Sequence, residues 1–145
     1  MNFIKITPDH KKEVINIFRN TFTKKQWDDW LEEDIDKAVF ADDPYYHVQL
    51  YGIQINDKIV SIAGVSDSMF LDEVKMFRLG ATLPEYANTG LMDKLISYRI
   101  GVVSEDNKGI LVSTKYPHRY EKHGFKMVDN NTEHKVLYLN VHKNH

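Results

Sequence analysis

The spacing of apolar residues changes near residue 47 of this chain, and that change limits the folds that the sequence can adopt. Before it, Val14, Ile17 and Phe18 recur with the spacing of an amphipathic helix. After it, residues 47–55 and 58–65 alternate with period two on either side of an Asn-Asp pair, which predicts a β-hairpin with a tight turn. We therefore expect helices and a sheet within one α/β domain.

Turn residues and apolar runs divide the rest of the sequence into further elements. The pattern predicts additional strands at about residues 3–6, 73–82, 110–113, 125–128 and 135–141. It predicts helices at about residues 10–22, 26–40, 90–101 and 116–122. The resulting order is β-α-α-β-β-β-α-β-α-β-β, a mixed sheet with helices packed on its faces. Residues 1–145 contain no repeat, low-complexity tract or linker, so we expect a single domain.

Charge and residue content exclude several classes of function. The chain has 145 residues, a net charge of −2 and no cysteine. The missing cysteines exclude a thiolate nucleophile, a thiolate metal site and disulfides. The slightly acidic composition provides no basic field for nucleic acid, and no apolar run approaches the roughly 20 residues of a membrane span. We expect a cytoplasmic protein without metal, nucleic-acid or membrane partners.

One segment has the features of a phosphate site. A strand ending near Thr82 is followed by a turn of small residues and by a helix that starts near Gly90. The first N–H groups of a helix lack intrahelical acceptors, and the helix dipole makes that end partly positive. Short side chains from Ala87 to Gly90 would let a pyrophosphate approach the backbone, and Asn88 tolerates left-handed backbone. An ordinary loop with a helix cap explains these residues at least as well, so both interpretations stay open at this point.

Two motifs resemble signatures of one family. Residues 81–96 read Ala-Thr-Leu-Pro-Glu-Tyr-Ala-Asn-Thr-Gly-Leu-Met-Asp-Lys-Leu-Ile, and residues 120–125 read Tyr-Glu-Lys-His-Gly-Phe. The first resembles the coenzyme A loop of the Gcn5-related N-acetyltransferases (the GNAT superfamily), and the second resembles the end of a short helix in the same family. The predicted element order also matches. The resemblance implies a mainly antiparallel sheet of about six or seven strands with helices on both faces.

The resemblance further implies that acetyl-CoA is the co-substrate. Its pantetheine arm would lie in a wedge between residues 73–82 and 110–114, and loop amides would bind its phosphates. Ala87 replaces the usual Arg or Gln and Met92 replaces a Gly or Ala, so recognition would depend on the amides of residues 88–92. The residues implied to contact the cofactor are Leu79, Ala81, Thr82, Ala87, Asn88, Thr89, Gly90, Leu91, Met92 and Ser113.

The implied chemistry is direct acyl transfer from the thioester to an amine. Tyr120 matches the position of the family's general acid, although packing beneath the sheet edge is the alternative role. For the general base, Glu73 on the strand before the loop is the first candidate. His47, His118 and His123 are further groups that titrate near neutral pH.

Residues 28–43 carry eight acidic side chains against Lys37 alone. They fit either the solvated face of a helix or an acceptor entrance that attracts a cationic amine. A fainter similarity to bacterial beta-lysine N-acetyltransferases agrees with a basic amino acid as the small-molecule acceptor. The alternatives are a non-catalytic acyl-CoA-binding module and a protein-interaction module on the same fold. Family members frequently form homodimers, and residues 135–141 are expected to form an edge strand that two copies exchange.

Overall fold

A seven-stranded sheet organises the part of the chain that the computed structural model describes, which comprises residues 1–21, 33, 35–40, 47–68, 71–103, 107–130 and 133–141. The strands are β1 (Asn2–Lys5), β2 (Val48–Ile55), β3 (Lys58–Asp67), β4 (Val74–Thr82), β5 (Gly109–Thr114), β6 (Lys126–Asp129) and β7 (Lys135–Asn140). The helices are α1 (Lys11–Thr21), α2 (Leu91–Val103) and α3 (Pro117–Glu121). Shorter helical turns are formed by Pro8–His10, Asp36–Phe40 and Pro84–Tyr86.

The strands lie in the order β1-β2-β3-β4-β5-β7-β6. β4 and β5 run parallel, whereas the other neighbouring pairs of described strands are antiparallel. The predicted mixed, mainly antiparallel sheet is thereby confirmed. Of the helix predicted for residues 26–40, the described portion includes one π-helical turn, Asp36–Phe40, and residues 26–32 and 34 lie outside the described residues. The expectation that residues 135–141 form an edge strand is wrong, because β6 pairs with the outer side of β7 and takes the edge position itself, whereas the homodimer stays a prediction.

The β2–β3 hairpin follows the predicted turn chemistry. Asn56 and Asp57 both adopt left-handed backbone, with φ of 53° and 62°. Two successive positive φ values are typical of a type I′ turn, whose twist matches that of the flanking strands. The hairpin register is then continuous up to an irregularity between Ile53 and Gln54.

The core is built on both faces of β3, where every residue from 59 to 66 is buried. From α1, Val14, Ile17 and Phe18 contribute almost fully buried side chains, and Leu95 and Ile96 do so from α2. Burial of this kind is the main favourable term in folding. None of the described helices is long and apolar enough to cross a membrane.

A β-bulge interrupts the pairing of β3 with β4. Ile62 lies opposite Ala81, but Gly64 lies opposite Arg78, so β4 contains one extra residue at this point. Leu79, within the bulge, has a φ of 57°, which a residue with a Cβ rarely adopts. Strained backbone of this kind persists only where surrounding structure enforces it, and it clusters at functional sites.

On its other side, β4 separates from β5. Their parallel pairing runs from Val74 opposite Gly109 to Phe77 opposite Val112. β4 nevertheless continues to Thr82, and β5 continues to Thr114 while still pairing with β7. The two strands therefore diverge beyond Phe77 and leave an opening in the middle of the sheet.

Two glycine substitutions test this packing. A Cβ at Gly64 would lie 2.5 Å from Cγ1 of Val48 and 3.0 Å from the carbonyl oxygen of Arg78, whereas a Cβ at Gly101 in α2 would meet nothing within 4 Å. We expect Gly64→Ala to lower the free energy of unfolding by about 1–3 kcal/mol through overpacking. Gly101→Ala should raise it by about 0.5–1 kcal/mol, because alanine favours the helix. Urea unfolding measures both, and equal stability of Gly64→Ala and wild type would contradict the packing described.

Candidate functional site

The divergence of β4 and β5 opens a cleft of about 1480 Å³, which we call the β4–β5 cleft. One wall is the free end of β4 from Phe77 to Thr82, and the opposite wall is formed by residues 112–114 and by α3. The start of α2 and the preceding loop close one end. Beyond Phe77, the edge of β4 that faces the cleft has no partner strand among the described residues. An extended ligand can pair with such an edge as an added strand.

The loop before α2 presents backbone N–H groups. Asn88 and Gly90 have positive φ values of 61° and 83°, and the Gly90 carbonyl accepts the first helical hydrogen bond, from the N–H of Lys94 at 3.2 Å. Within the described part of the chain, the N–H groups of residues 88–92 have no acceptor. Amides freed in this way at a helix start form an anion site. The loop therefore offers the unpaired amides that a phosphate would need, and phosphate binding at this loop stays a prediction.

Comparison with solved structures identifies the architecture. An aminoglycoside 6′-acetyltransferase type Ii matches with a TM-score of 0.79 at 14% identity, over 99% of each chain. A GNAT-family acetyltransferase from Staphylococcus aureus matches with a TM-score of 0.72 at 18% identity, over 97% of this chain and 99% of that one. The chain has the GNAT fold. A third structure with this fold, the PaiA N-acetyltransferase from Thermoplasma acidophilum in complex with coenzyme A, matches with a TM-score of 0.73 at 10% identity, over 96% and 98% of the two chains.

By sequence, the chain matches no protein-family model and no curated protein. The likeness to the GNAT structures is therefore a likeness of fold.

The structure brings nine of the ten predicted cofactor residues to the β4–β5 cleft. The exception is Thr89, whose hydroxyl instead donates to the carbonyl of Tyr86. Thr82 lines the cleft, but its hydroxyl is also hydrogen-bonded to that of Ser61 at 2.7 Å. The nine that line the cleft are Leu79, Ala81, Thr82, Ala87, Asn88, Gly90, Leu91, Met92 and Ser113. Their contact with a cofactor stays a prediction.

Met92 occupies the crowded start of α2, as the sequence suggested. A Cβ placed on Gly80 would lie 3.2 Å from the terminal methyl of Met92, so the thioether packs directly over the backbone of β4. Met92 also contacts both parts of the apolar core. A side chain in the place of Gly80 would therefore require Met92 to shift by a few tenths of an ångström.

Tyr120, the predicted general acid, is buried and lines the β4–β5 cleft. Its ring packs edge-on against Phe125 with 5.5 Å between centroids. Next to it, Gly124 has a φ of 93° and ends α3 with the left-handed backbone that the sequence predicted. The short helix and its glycine thus fix Tyr120 at the wall of the cleft.

Glu73, the first candidate for the base, lies away from the cleft. It precedes β4 in a turn with a φ of 60°, and its carboxylate is 3.3 Å from the ammonium of Lys108. The cleft begins only at Phe77, four residues further along an extended strand, or about 13 Å away. The geometry therefore gives no support to Glu73 as a catalytic group.

The predicted histidines are dispersed. His118 lines the cleft and lies 3.1 Å from Glu121. His123 instead contacts Asp93, with its Nε2 atom 3.1 Å from the carboxylate. His47 is exposed and is not among the residues that line the cleft.

The cleft is cationic although the chain is acidic. Of the described residues that line it, Asp93 carries the single carboxylate, and six carry cationic side chains. The Lys122 ammonium lies 3.0 Å from the Asp93 carboxylate, and hydrogen bonds from Lys122 and His123 hold the pKa of Asp93 below its usual value. Asp93 therefore stays ionised and binds α3 to α2. The six cationic residues are Arg78, Arg99, Lys115, Arg119, Lys122 and Lys135.

Sequence reasoning missed Arg99. It follows Leu91 and Leu95 at intervals of four residues, so it lies on the apolar stripe of α2. The structure buries it to 1% exposure and places it at the β4–β5 cleft. The sequence signal that could have identified this position is a charged residue in register with an apolar stripe.

Proposed function

We propose that this protein is an acyl-CoA-dependent N-acetyltransferase that transfers an acetyl group from acetyl-CoA to a primary amine. The observation that carries the proposal is the convergence on one cleft of three features. These are the free edge of β4, the open amides of residues 88–92, and the buried hydroxyl of Tyr120. Each of these features would contact a different part of one long ligand.

The cleft fits the chemistry of coenzyme A. Its phosphates would bind at the amides of residues 88–92 and its pantetheine amides along residues 78–82. Ala87 offers no charge at the usual Arg position, but Arg119 and Lys122 on and after α3 line the same cleft. We infer that these cations supply the phosphate contact that Ala87 lacks.

The reaction requires a proton donor at the departing sulfur. Bound acetyl-CoA supplies an activated thioester, and the amine attacks its carbonyl carbon. Tyr120 is held at the cleft wall by Phe125 and is the buried hydroxyl that would protonate the sulfur. Positioning of the amine and thioester within one cleft supplies the rest of the acceleration.

The cationic rim leads to a binding prediction. We expect Arg119→Glu to weaken coenzyme A binding about tenfold, or roughly 1.4 kcal/mol, because an attractive charge becomes repulsive. The loss should shrink at high salt, where exposed charges are screened. Calorimetric titration with coenzyme A measures it, with Lys94→Glu as the control because Lys94 is exposed on α2 and is absent from the cleft lining. Equal losses in the two variants would contradict a specific rim.

A second prediction concerns Tyr120. Tyr120→Phe removes the hydroxyl and keeps the ring packed on Phe125, so kcat should fall by about 10²- to 10⁴-fold while the Kd of coenzyme A stays nearly constant. Tyr138→Phe is the matched control, since the Tyr138 hydroxyl contacts the carbonyl of Lys108 and lies outside the cleft lining. An unchanged kcat in Tyr120→Phe would remove Tyr120 from the mechanism.

We further propose a small cationic amine or a basic amino acid as the acceptor. Thr21, the last residue of α1, lines the β4–β5 cleft, and the acidic stretch of residues 28–43 follows it along the chain. Of that stretch, the described residues include exposed Glu33 and half-buried Asp36, and Asp36 is paired with Lys11. An acidic segment that follows Thr21 in the sequence would concentrate cationic acceptors.

Steady-state turnover of acetyl-CoA across an amine panel tests both proposals. Polyamines, lysine and beta-lysine should give kcat/KM values at least about tenfold above those of neutral amines such as glycinamide, an effect of the order expected for electrostatic attraction. The preference should weaken as salt is added. Equal kcat/KM values across the panel would overturn the cationic acceptor and leave acetyl transfer intact.

Glu73, the first candidate for the general base, lies away from the cleft. This position favours a second candidate function, a non-catalytic acyl-CoA-binding module. This candidate predicts calorimetric binding of acetyl-CoA without turnover of any amine. A protein-interaction module that has lost the cofactor predicts no rise in melting temperature with coenzyme A.

A further inference from the structure

Arg99 is a cation buried in the apolar interior. Its side chain is 1% exposed on the inner face of α2. Burial penalises the charged form and lowers the pKa of Arg99 to about 10, so the group still carries its charge at neutral pH. A buried charge without a counter-ion is costly, and its presence at a cleft therefore requires an explanation.

Backbone carbonyls and one aromatic ring hold the guanidinium in place. Nη1 donates to the carbonyl of Gly64 at 3.0 Å, and Nε donates to the carbonyl of Leu95 at 3.2 Å. Cζ lies 4.0 Å from the centroid of the Phe77 ring, within the range of a cation–π contact. Gly64 borders the β-bulge and Phe77 is the last residue of β4 that pairs with β5, so Arg99 contacts both irregularities of β4.

Among the described residues no carboxylate forms an ion pair with Arg99, and its buried Nη2 atom has no hydrogen-bond partner. The Phe77 ring that contacts the guanidinium also packs against Phe125, with 5.9 Å between centroids, and Phe125 packs edge-on against Tyr120. Tyr120 also favours the charged form of Arg99. Both residues line the β4–β5 cleft. Arg99 is therefore a cation without a carboxylate partner that packs on the aromatic cluster of Tyr120, the residue that the proposed function assigns to proton transfer.

We propose that Arg99 is a positioning residue that orients the Tyr120 hydroxyl and stabilises the negative charge that forms on it. This inference rests on the proposed function. When the amine nitrogen bonds to the acyl carbon, the carbon–sulfur bond breaks, and the Tyr120 proton moves to the sulfur. The tyrosinate that remains is stabilised by the positive charge of the guanidinium. The amine releases one proton to solvent, and the tyrosinate takes one proton from solvent. Backbone carbonyls and Phe77 hold Arg99 without neutralising it, so its charge stays available to Tyr120.

Arg99→Met tests the role by removing the charge while keeping an unbranched side chain of similar length. We expect kcat to fall about 100-fold, as for a misplaced catalytic group, with the Kd of coenzyme A within about threefold of wild type, since the phosphate amides are untouched. Arg99→Lys should recover part of the loss, because it keeps the charge but not the planar fork. Lys94→Met is the control for loss of a cation from the exposed face of α2. Melting temperatures establish that each variant is folded.

Two measurements separate a specific role from a structural one. In a Tyr120→Phe background, Arg99→Met should lower kcat less than threefold further, because the two residues act as one unit. In the free protein labelled with ¹³C-tyrosine, the ring resonance that Tyr120→Phe removes should shift in Arg99→Met and not in Lys94→Met. Additive losses of kcat, or an unshifted Tyr120 resonance in folded Arg99→Met, would overturn the inference. If wild-type protein turns over no amine, the proposed function and the proton-transfer role both fail. The shift of the Tyr120 ring resonance in Arg99→Met still shows whether Arg99 positions Tyr120.

Discussion

The divergence of β4 from β5 is the constraint on which the candidate site depends. Their pairing stops at Phe77 and Val112, although both strands continue. A parallel pair ordinarily satisfies its backbone groups along its whole length, so an early end leaves polar groups that need another partner. The pairings on the outer sides of the two strands keep the opening in place. β5 stays paired with β7 on one side, and β4 stays paired with β3 through a bulge on the other.

Recognition at this opening is divided between backbone and side chains. The amides of residues 88–92 suit an anion of any source, because a helix start provides partial charge without a charged residue. The cationic side chains that line the cleft then set the sign of the field within a chain whose net charge is −2. Local distribution of charge therefore outweighs net charge in deciding what can enter. The proposed binding of phosphates by a loop that carries Ala87 depends on this arrangement.

Sequence predicted the features that depend on a few neighbouring residues. The left-handed turn at Asn56, the glycine end of α3 at Gly124 and the small-residue loop at Asn88 all follow from local backbone preferences. It failed where partners distant in the chain decide the outcome. The bulge at Leu79 depends on β3, and the interior place of β7 depends on β6. Such pairings leave no periodic trace in one strand.

Arg99 is an exception to the rule that a charged side chain stays exposed unless it is paired, and this exception is informative. An apolar residue at this position would spare the protein the desolvation of a guanidinium, and buried ion pairs in other proteins have been replaced in that way with a gain in stability. The retained cation contacts the carbonyl of Gly64 and the ring of Phe77, which mark the two places where β4 departs from regular pairing. Stability alone does not account for a charge in that position. The proposed proton transfer at Tyr120 would account for it, because a cation without a carboxylate partner can still stabilise a negative charge that forms on a neighbouring group.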